Sequence, residues 1–432
     1  MGRRGGKGVS DEDYVVNKRS GRNGKGKRGK GREEIETSDI EDDLSSYVSN
    51  LSYQQNIDKE SLGEGSLTGE SGIEDNDVLD QQLDVSLEAA ALKNSVVRVK
   101  NLKIIQELLS SKIMGETLFK RKGEMLDVLI KSFKIGKGSE KLTTSQLAVL
   151  YCLQCGEEID MESLYTELKT FLLCDINDGS ADVGQRAKII FKLAVLCFLC
   201  SDNIDDRKEL LVLLREKVKQ NDPDVIINSL AAISLILTVC TPTERKNVIH
   251  MLLPSARSLL KNGNVEVRIE AGEFIAHVFE LGRDYDELFD EQVEDLEELL
   301  EDLDKLQTDG AKFRAKRDRK VQRASFREIY ALVSGEGDVH EQVKISLNET
   351  LTLTSWSERV QYGAIKEILG TSTSLHLQQN IFVREIFGLG AVPLRIEPVS
   401  RGDKLEMKKL NAACHKARQK SMLRQRDKRM VV

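Results

Sequence analysis

The chain has 432 residues, 40% of them hydrophobic and 31% charged, with a formal net charge of −7. This composition supports a sizeable core, but no apolar run is long enough for a membrane helix and no apolar signal segment follows the N-terminus, so a soluble intracellular protein is expected. Cys152, Cys155, Cys174, Cys197, Cys200 and Cys240 fall in or beside apolar helical runs and Cys414 lies in a basic stretch, so a reducing compartment accounts for all seven without disulfides.

In chain order, residues 1–32 hold eleven Lys or Arg against three acids, and residues 33–88 hold seventeen acids against Lys59 alone. Neither half has the apolar surface to offset chain entropy, so residues 1–86 are expected to form a disordered tail. Leu102, Ile105, Leu108 and Leu109, then Met125, Leu126, Leu129 and Ile130, mark a helix pair with turns at Gly115 and Gly123. Gly136-Lys137-Gly138-Ser139 resembles a phosphate loop, but the first Gly of that motif is missing and no Ser or Thr follows the Lys, so it reads as an exposed turn.

The strongest signal is a pattern repeated at 42 residues. Val183, Val225 and Val267 lead three stretches whose apolar positions stay in register through Ala187, Ser229 and Ala271 to Val195, Leu237 and Phe279. Offsets of four, seven, eight, eleven and twelve residues place each set on one helical face. Asp182, Asp224 and Glu266 just before each Val suit the positive end of a helix dipole. A looser copy starts at Lys141, where Leu147-Ala148-Val149-Leu150 echoes Leu193-Ala194-Val195-Leu196. Second helices fall between these, the last from Glu244 to Lys261 with Pro254 expected to kink or split it. A helix hairpin with an exposed apolar face must stack on its neighbours. The fold expected for residues 87–310 is therefore an all-α, armadillo/HEAT-like solenoid with broad surfaces and no deep cleft.

Two CxxC pairs, Cys152/Cys155 and Cys197/Cys200, could in principle supply four zinc ligands. Zinc ribbons set each pair on a tight turn, whereas these sit in amphipathic helices, and small core residues are the better reading. No G-x-S-x-G, H-E-x-x-H or complete phosphate loop occurs, and none of the five histidines has a metal or catalytic partner at diagnostic spacing. His277 falls on a repeat helix opposite its apolar stripe, His250 in a second helix, and His340, His376 and His415 beyond the array. No enzyme, cofactor, metal site or small-molecule substrate is expected.

Asp284 to Asp309 carries thirteen acids against Lys305 alone, with Leu288, Val293, Leu296, Leu299, Leu300, Leu303 and Leu306 on one face, as for an acidic capping helix. The sign then reverses: Lys312, Arg314, Lys316, Arg317, Arg319, Lys320, Arg323 and Arg327 face only Asp318. This block, in a segment covering residues 311–398, either pairs with the acids or meets phosphate. Val343, Ile345, Leu347, Leu351 and Leu353 alternate about Asn348-Glu349 as in a short β-hairpin before Trp356, followed by helices over Glu358–Leu369 and Leu377–Phe387. Pro398 and Gly402 form a hinge into a basic tail over residues 399–432. There Lys408, Lys409, Lys416, Arg418, Lys420, Arg424, Arg426, Lys428 and Arg429 spread charge around a helix. The tail is the candidate RNA contact, with a nuclear import signal as the plainer alternative.

Several of these stretches resemble the interferon-related developmental regulator family. The resemblance lies in Val267-Arg268-Ile269-Glu270-Ala271-Gly272-Glu273, in Leu306 to Tyr330, in Leu375-His376-Leu377-Gln378-Gln379-Asn380 with Phe382, Arg384, Phe387, Leu389 and Gly390, and in the basic tail. It spans roughly residues 90 to 430 and is most specific in the last 170 positions. It implies a helical-repeat body without enzymatic activity that regulates gene expression in cytoplasm and nucleus. Two mechanisms are implied: binding ribosomes or ribosomal RNA to control translation, and bridging transcription factors to deacetylase complexes as a nuclear co-regulator.

Metal analysis of purified protein is expected to give well under one zinc per chain. Stoichiometric zinc, lost together with the fold on chelation, would show that the cysteine-bearing stretches are not the helices inferred for them.

Overall fold

In the computed structural model the described residues are 72–308, 316–346 and 349–392, with backbone alone described at 72–77 and 316–319. They build successive helix hairpins: α1 (Gly72–Ala90) with α2 (Ser95–Ser111), and the short α3 (Gly115–Lys120) and α4 (Lys122–Ile135) with α5 (Ser139–Cys155). Then come α6 (Met161–Asn177) with α7 (Val183–Cys200), α8 (Ile204–Val218) with α9 (Pro223–Val239), and α10 (Pro242–Leu259) with α11 (Val265–Tyr285). The last pairs α12 (Phe289–Gln292) and α13 (Leu296–Gln307) with α14 (Lys316–Val333). The second members α2, α5, α7, α9, α11 and α14 stack one on the next, and the first members stand beside them. The repeat register is the core register, since Ala187, Ser229, Ala271, Val195, Leu237 and Phe279 are all buried.

The chain then turns back. A hairpin of β1 (Glu341–Lys344) and β2 (Thr350–Leu353), antiparallel with Val343 opposite Leu351, leads into α15 (Trp356–Leu369), α16 (Thr373–Gln379) and α17 (Ile381–Ile386). These three helices form an arm over the stack: α15 packs on α11, α9 and α5, and α17 on α5. The stacked helices are consequently buried on two sides. Thr143 to Cys155 is buried except Gln146, and Ile189 to Cys197 is buried without a break. A helix apolar all round belongs inside a protein, and these become the middle layer of three.

The hairpins are closed by a recurring device. Helix N-caps Asn94, Thr241, Asn264 and Asn380 are each followed four residues later by an arginine. That guanidinium turns back onto carbonyls at the end of the preceding helix or turn. Arg98 reaches Lys93 O at 2.6 Å, Arg245 reaches Leu237 O at 2.9 Å, Arg268 reaches Asn262 O at 2.6 Å and Arg384 reaches Leu377 O at 2.7 Å.

Several expectations change. The described fold already includes α1 from Gly72, upstream of position 87, because Leu83, Leu87 and Ala90 of α1 are buried; the rest of the expected tail lies outside the described residues. The helix pair expected after residue 87 is the four helices α1 to α4. Asp182 caps α7, but α9 and α11 are capped by Asp222 and Asn264, which moves Asp224 and Glu266 into the first turn. α10 continues through Pro254, whose position is exposed, so water can satisfy the carbonyl the proline frees. The acidic helix is broken at Asp295, whose φ is 53°, and Leu288 is exposed. Asn380 divides the expected Leu377–Phe387 helix, since its side chain accepts from Val383 N and starts α17. Leu347 and Asn348 of the hairpin and the Pro398–Gly402 hinge lie outside the described residues. No helix among the described residues is long and apolar enough to cross a membrane.

Because α1 is part of the core, Leu83→Ala is expected to destabilise the protein by about 2–4 kcal/mol in denaturant unfolding. An unchanged midpoint would return residues up to 86 to the tail.

Candidate nucleic-acid interface

α14 is clamped between α11 and α13. Phe326 and Ile329 are buried against α11, where Gly272 permits the approach: a Cβ there would stand 2.8 Å from the Phe326 ring. Arg268 Nε donates to Gln322 Oε1 at 3.0 Å, and Gln322 Nε2 to Leu306 O at 3.2 Å. Beside that buried stripe, Lys316, Lys320, Arg323 and Arg327 recur at spacings of four, three and four and so share one flank of the helix. Lys320 and Arg323 are half-buried and Arg327 is exposed, and none of the three lacks a partner. The side chains of Lys316, Arg317 and Arg319 are not described, and Lys312 and Arg314 lie outside the described residues. On the other side of α13, the acids draw bases from α10 and the turn after it: Arg257 stands 3.7 Å from Glu298 and Lys261 3.3 Å from Asp302.

The arm is pinned to successive middle-layer helices. On α11, the Glu280 carboxylate accepts from the Trp356 and Ser357 backbone N–H groups, setting an anion at the positive end of α15. Burial pushes this carboxyl up despite those bonds. His277, fully buried, meets Ser357 Oγ at 3.0 Å, so the face opposite the repeat stripe is covered by the arm. Burial, with Arg245 adding to it, lowers its pKa to about 3 and keeps it neutral. Gln361 donates to Thr238 Oγ1 on α9 at 3.0 Å, Lys192 of α7 lies 4.0 Å from Glu367, and Gln146 of α5 donates to Ile368 O at 2.7 Å. Burial pulls the Lys192 amine down to about 8.

At the far end, Asn380 donates to Leu153 O at 2.7 Å and approaches His376 Nδ1 at 3.2 Å, which leaves His376 Nε2 to donate to Ser110 O at 2.9 Å. Arg384 closes the latch with a 2.6 Å bond to Glu349 at the β2 end of the hairpin. The described chain ends at residue 392, beyond this latch. The candidate RNA contacts Lys408, Lys409, Lys416, Arg418, Lys420, Arg424, Arg426, Lys428 and Arg429 lie outside the described residues.

The sequence reading missed the arm as a structural layer. Its clue was in the residues already singled out: Leu375 to Asn380 is the latch, and the Leu230–Val239 stretch is apolar all round. His250 and His340 are exposed, whereas His376 is buried. Cys152 and Cys200 bring their sulfurs within 3.3 Å across α5 and α7. Burial pushes the Cys155 thiol up to about 12 and the Cys197 thiol up to about 11, disfavouring the thiolate that a metal would need. An open groove between α1 and α4, about 570 Å³, has an apolar floor of Leu87, Ala91 and Val128 with Glu88, Asp127 and Lys131 around it.

Comparison with known proteins gives two family matches. The interferon-related developmental regulator family matches residues 43–334, and the interferon-related protein conserved region matches residues 380–430. Interferon-related developmental regulator 2 of Mus musculus is 32% identical over 371 residues, covering 81% of this chain and 83% of that protein. Interferon-related developmental regulator 1 of Sus scrofa is 33% identical over 360 residues, covering 79% of each, and that of Homo sapiens is 32% identical, covering 79% of this chain and 78% of its own.

The neutral His277 gives the arm a pH signature. Its folded pKa lies below the ordinary value near 6.5, so unfolded chains bind its proton first and stability is lost as pH falls from about 6.5 toward about 3. Glu280, pushed up, works in the opposite sense, so the His277 contribution is read by difference. Relative to the parent, His277→Gln is expected to gain about 2 kcal/mol between about pH 7 and about pH 5. Parallel stability curves for the two proteins would show His277 to be solvated.

Proposed function

The chain belongs to the interferon-related developmental regulator family, and from that premise we propose that it is a non-enzymatic regulator of gene expression that binds ribosomes or ribosomal RNA through its basic segments to control translation. The family assignment supports a regulatory role. The observation that favours nucleic acid is the covered middle layer. A stacked-helix array ordinarily offers that surface to peptides, and here the chain's own arm occupies it, with Trp356, Ile365, Ile368 and Leu377 buried there. The chain also concentrates positive charge along the flank of α14 and in residues 404–430, which hold ten Lys or Arg against two acids. The second family match, residues 380–430, begins at the Asn380 latch and runs through this basic stretch.

Phosphate contacts displace counterions, so such binding weakens steeply with salt, and each contact removed lowers the log–log slope by about 0.7–0.9. The protein would work in the cytoplasm and the nucleus. Bridging of transcription factors to deacetylase complexes remains the second reading, implied by the same family, and the test separates the two.

On a sucrose gradient the protein is expected to co-migrate with ribosomal particles and to move to the top after ribonuclease. Deleting residues 403–432, or changing Lys416, Arg418, Arg424 and Arg426 to Glu, is expected to abolish most of that co-migration. Migration of the parent away from ribosomal particles at low salt would rule out the ribosomal reading and favour the co-regulator.

A further inference from the structure

Cross-links tie the first members of the hairpins to one another along the outer row. Phe133 of α4 stacks on Phe171 of α6 with ring centroids 6.0 Å apart, and Lys169 of α6 pairs with Asp206 of α8 at 2.8 Å. Arg215 of α8 meets Met251 Sδ of α10 at 3.0 Å. At the α1–α4 junction Arg121 pairs with Asp84 and Lys131 donates to Ala91 O, and beside these links the groove of about 570 Å³ stays open. Its α4 wall runs from Glu124 to Ile135, about 16 Å at about 1.5 Å per residue. Leu87 and Val128 are buried in its floor, and Ile135 is 48% exposed. Glu88, Glu124 and Asp127 stand exposed on its rim, and among the described residues none of these carboxylates has an ion pair or a hydrogen bond. The two lysines of the lining are engaged within the body, Lys131 at Ala91 O and Lys134 over the Phe171 ring, 5.9 Å from its centroid.

We propose that this groove docks a basic amphipathic helix of a partner protein, which lays two or three large apolar side chains on the floor and sets Lys or Arg against the three carboxylates. Charge complementarity selects this occupant. A nucleic acid would bring phosphates onto unpaired acids, so the groove is separate from the RNA contacts proposed above and does not depend on them. A second copy of the chain, paired groove to groove about a two-fold axis, would bring the same three acids to face these, and like charges facing one another cost binding energy. A helix of about three turns matches the length of the α4 wall. Its cations would meet carboxylates that carry no other obligation.

The test titrates the full chain with a fluorescein-labelled helical peptide of about 15 residues, carrying Leu at i, i+4 and i+7 with Lys on both flanks, and with a control peptide whose Lys are Glu. Anisotropy at low salt is expected to show the parent binding the Lys peptide at least about 30-fold more tightly than the Glu peptide. Glu88→Lys with Asp127→Lys, at exposed positions, is expected to weaken that binding about tenfold. Ile135→Ser, which alters only the apolar wall, is expected to weaken it about fivefold. Glu287→Lys with Glu291→Lys makes the same change of charge at exposed positions of the acid-rich stretch around α12, and is expected to leave the affinity within about twofold. Melting temperatures control for folding. Equal losses from the two double variants would show general attraction to an acidic protein and overturn the site. So would Ile135→Ser binding like the parent, or a parent that fails to bind the Lys peptide. Dimerisation of the parent that Ile135→Ser abolishes would give the groove to a second copy and overturn the partner helix.

Discussion

The middle-layer helices are apolar on two faces, and one row of partner helices can cover only one of them. α9 makes the constraint plain: Val225, Ile226, Leu230, Ile233, Leu235, Ile236 and Leu237 point in all directions and all are buried. At about 25 cal/mol per Å², leaving the second face in water would cost a body of this size a large part of its stability. The arm removes that cost. It is therefore a third layer of the domain, and the array is complete only when the chain has folded back along its own length.

The polar groups between the layers fix how the arm lies. Asn380 uses both sides of its amide, donating to Leu153 O and His376 Nδ1 while accepting from Val383 N. That assigns the His376 proton to Nε2, where it bonds Ser110 O. Apolar contact alone would tolerate sliding of α15 by a turn. The Glu280 cap at one end and the Asn380 latch at the other do not, because a shift would leave buried donors and acceptors unmade, at about 1–3 kcal/mol each.

Much of the array was legible in the sequence. The 42-residue register predicts the buried positions of α7, α9 and α11, because a helix that must stack carries its core at fixed angular spacing. The arm was not legible from periodicity. Residues such as His376, Asn380 and Arg384 are polar, and only their bonds to distant carbonyls and carboxylates make them interior. The start of the fold was misplaced for a related reason. α1 carries Asp75, Asp77, Asp80, Asp84 and Glu88 among its few apolar residues, so composition hides a face made of Leu83, Leu87 and Ala90. Asp84 pairs with Arg121 and Asp80 accepts from Thr117, so part of that acidity belongs to the packing. The proposed RNA contacts in residues 404–430 were legible only as charge.

The second face of the middle-layer helices is filled by the chain's own arm, so that surface is not open to a partner. The account stands on the docking of the arm. Amide hydrogen exchange of the intact protein tests that docking most directly. α15, α16 and α17 are predicted to exchange within about an order of magnitude of α7 and α9, because the layers open together. Rapid exchange across Trp356–Ile386 while α7 and α9 stay protected would show that the arm lies free of the stack, and would contradict the three-layer body from which the functional reading follows.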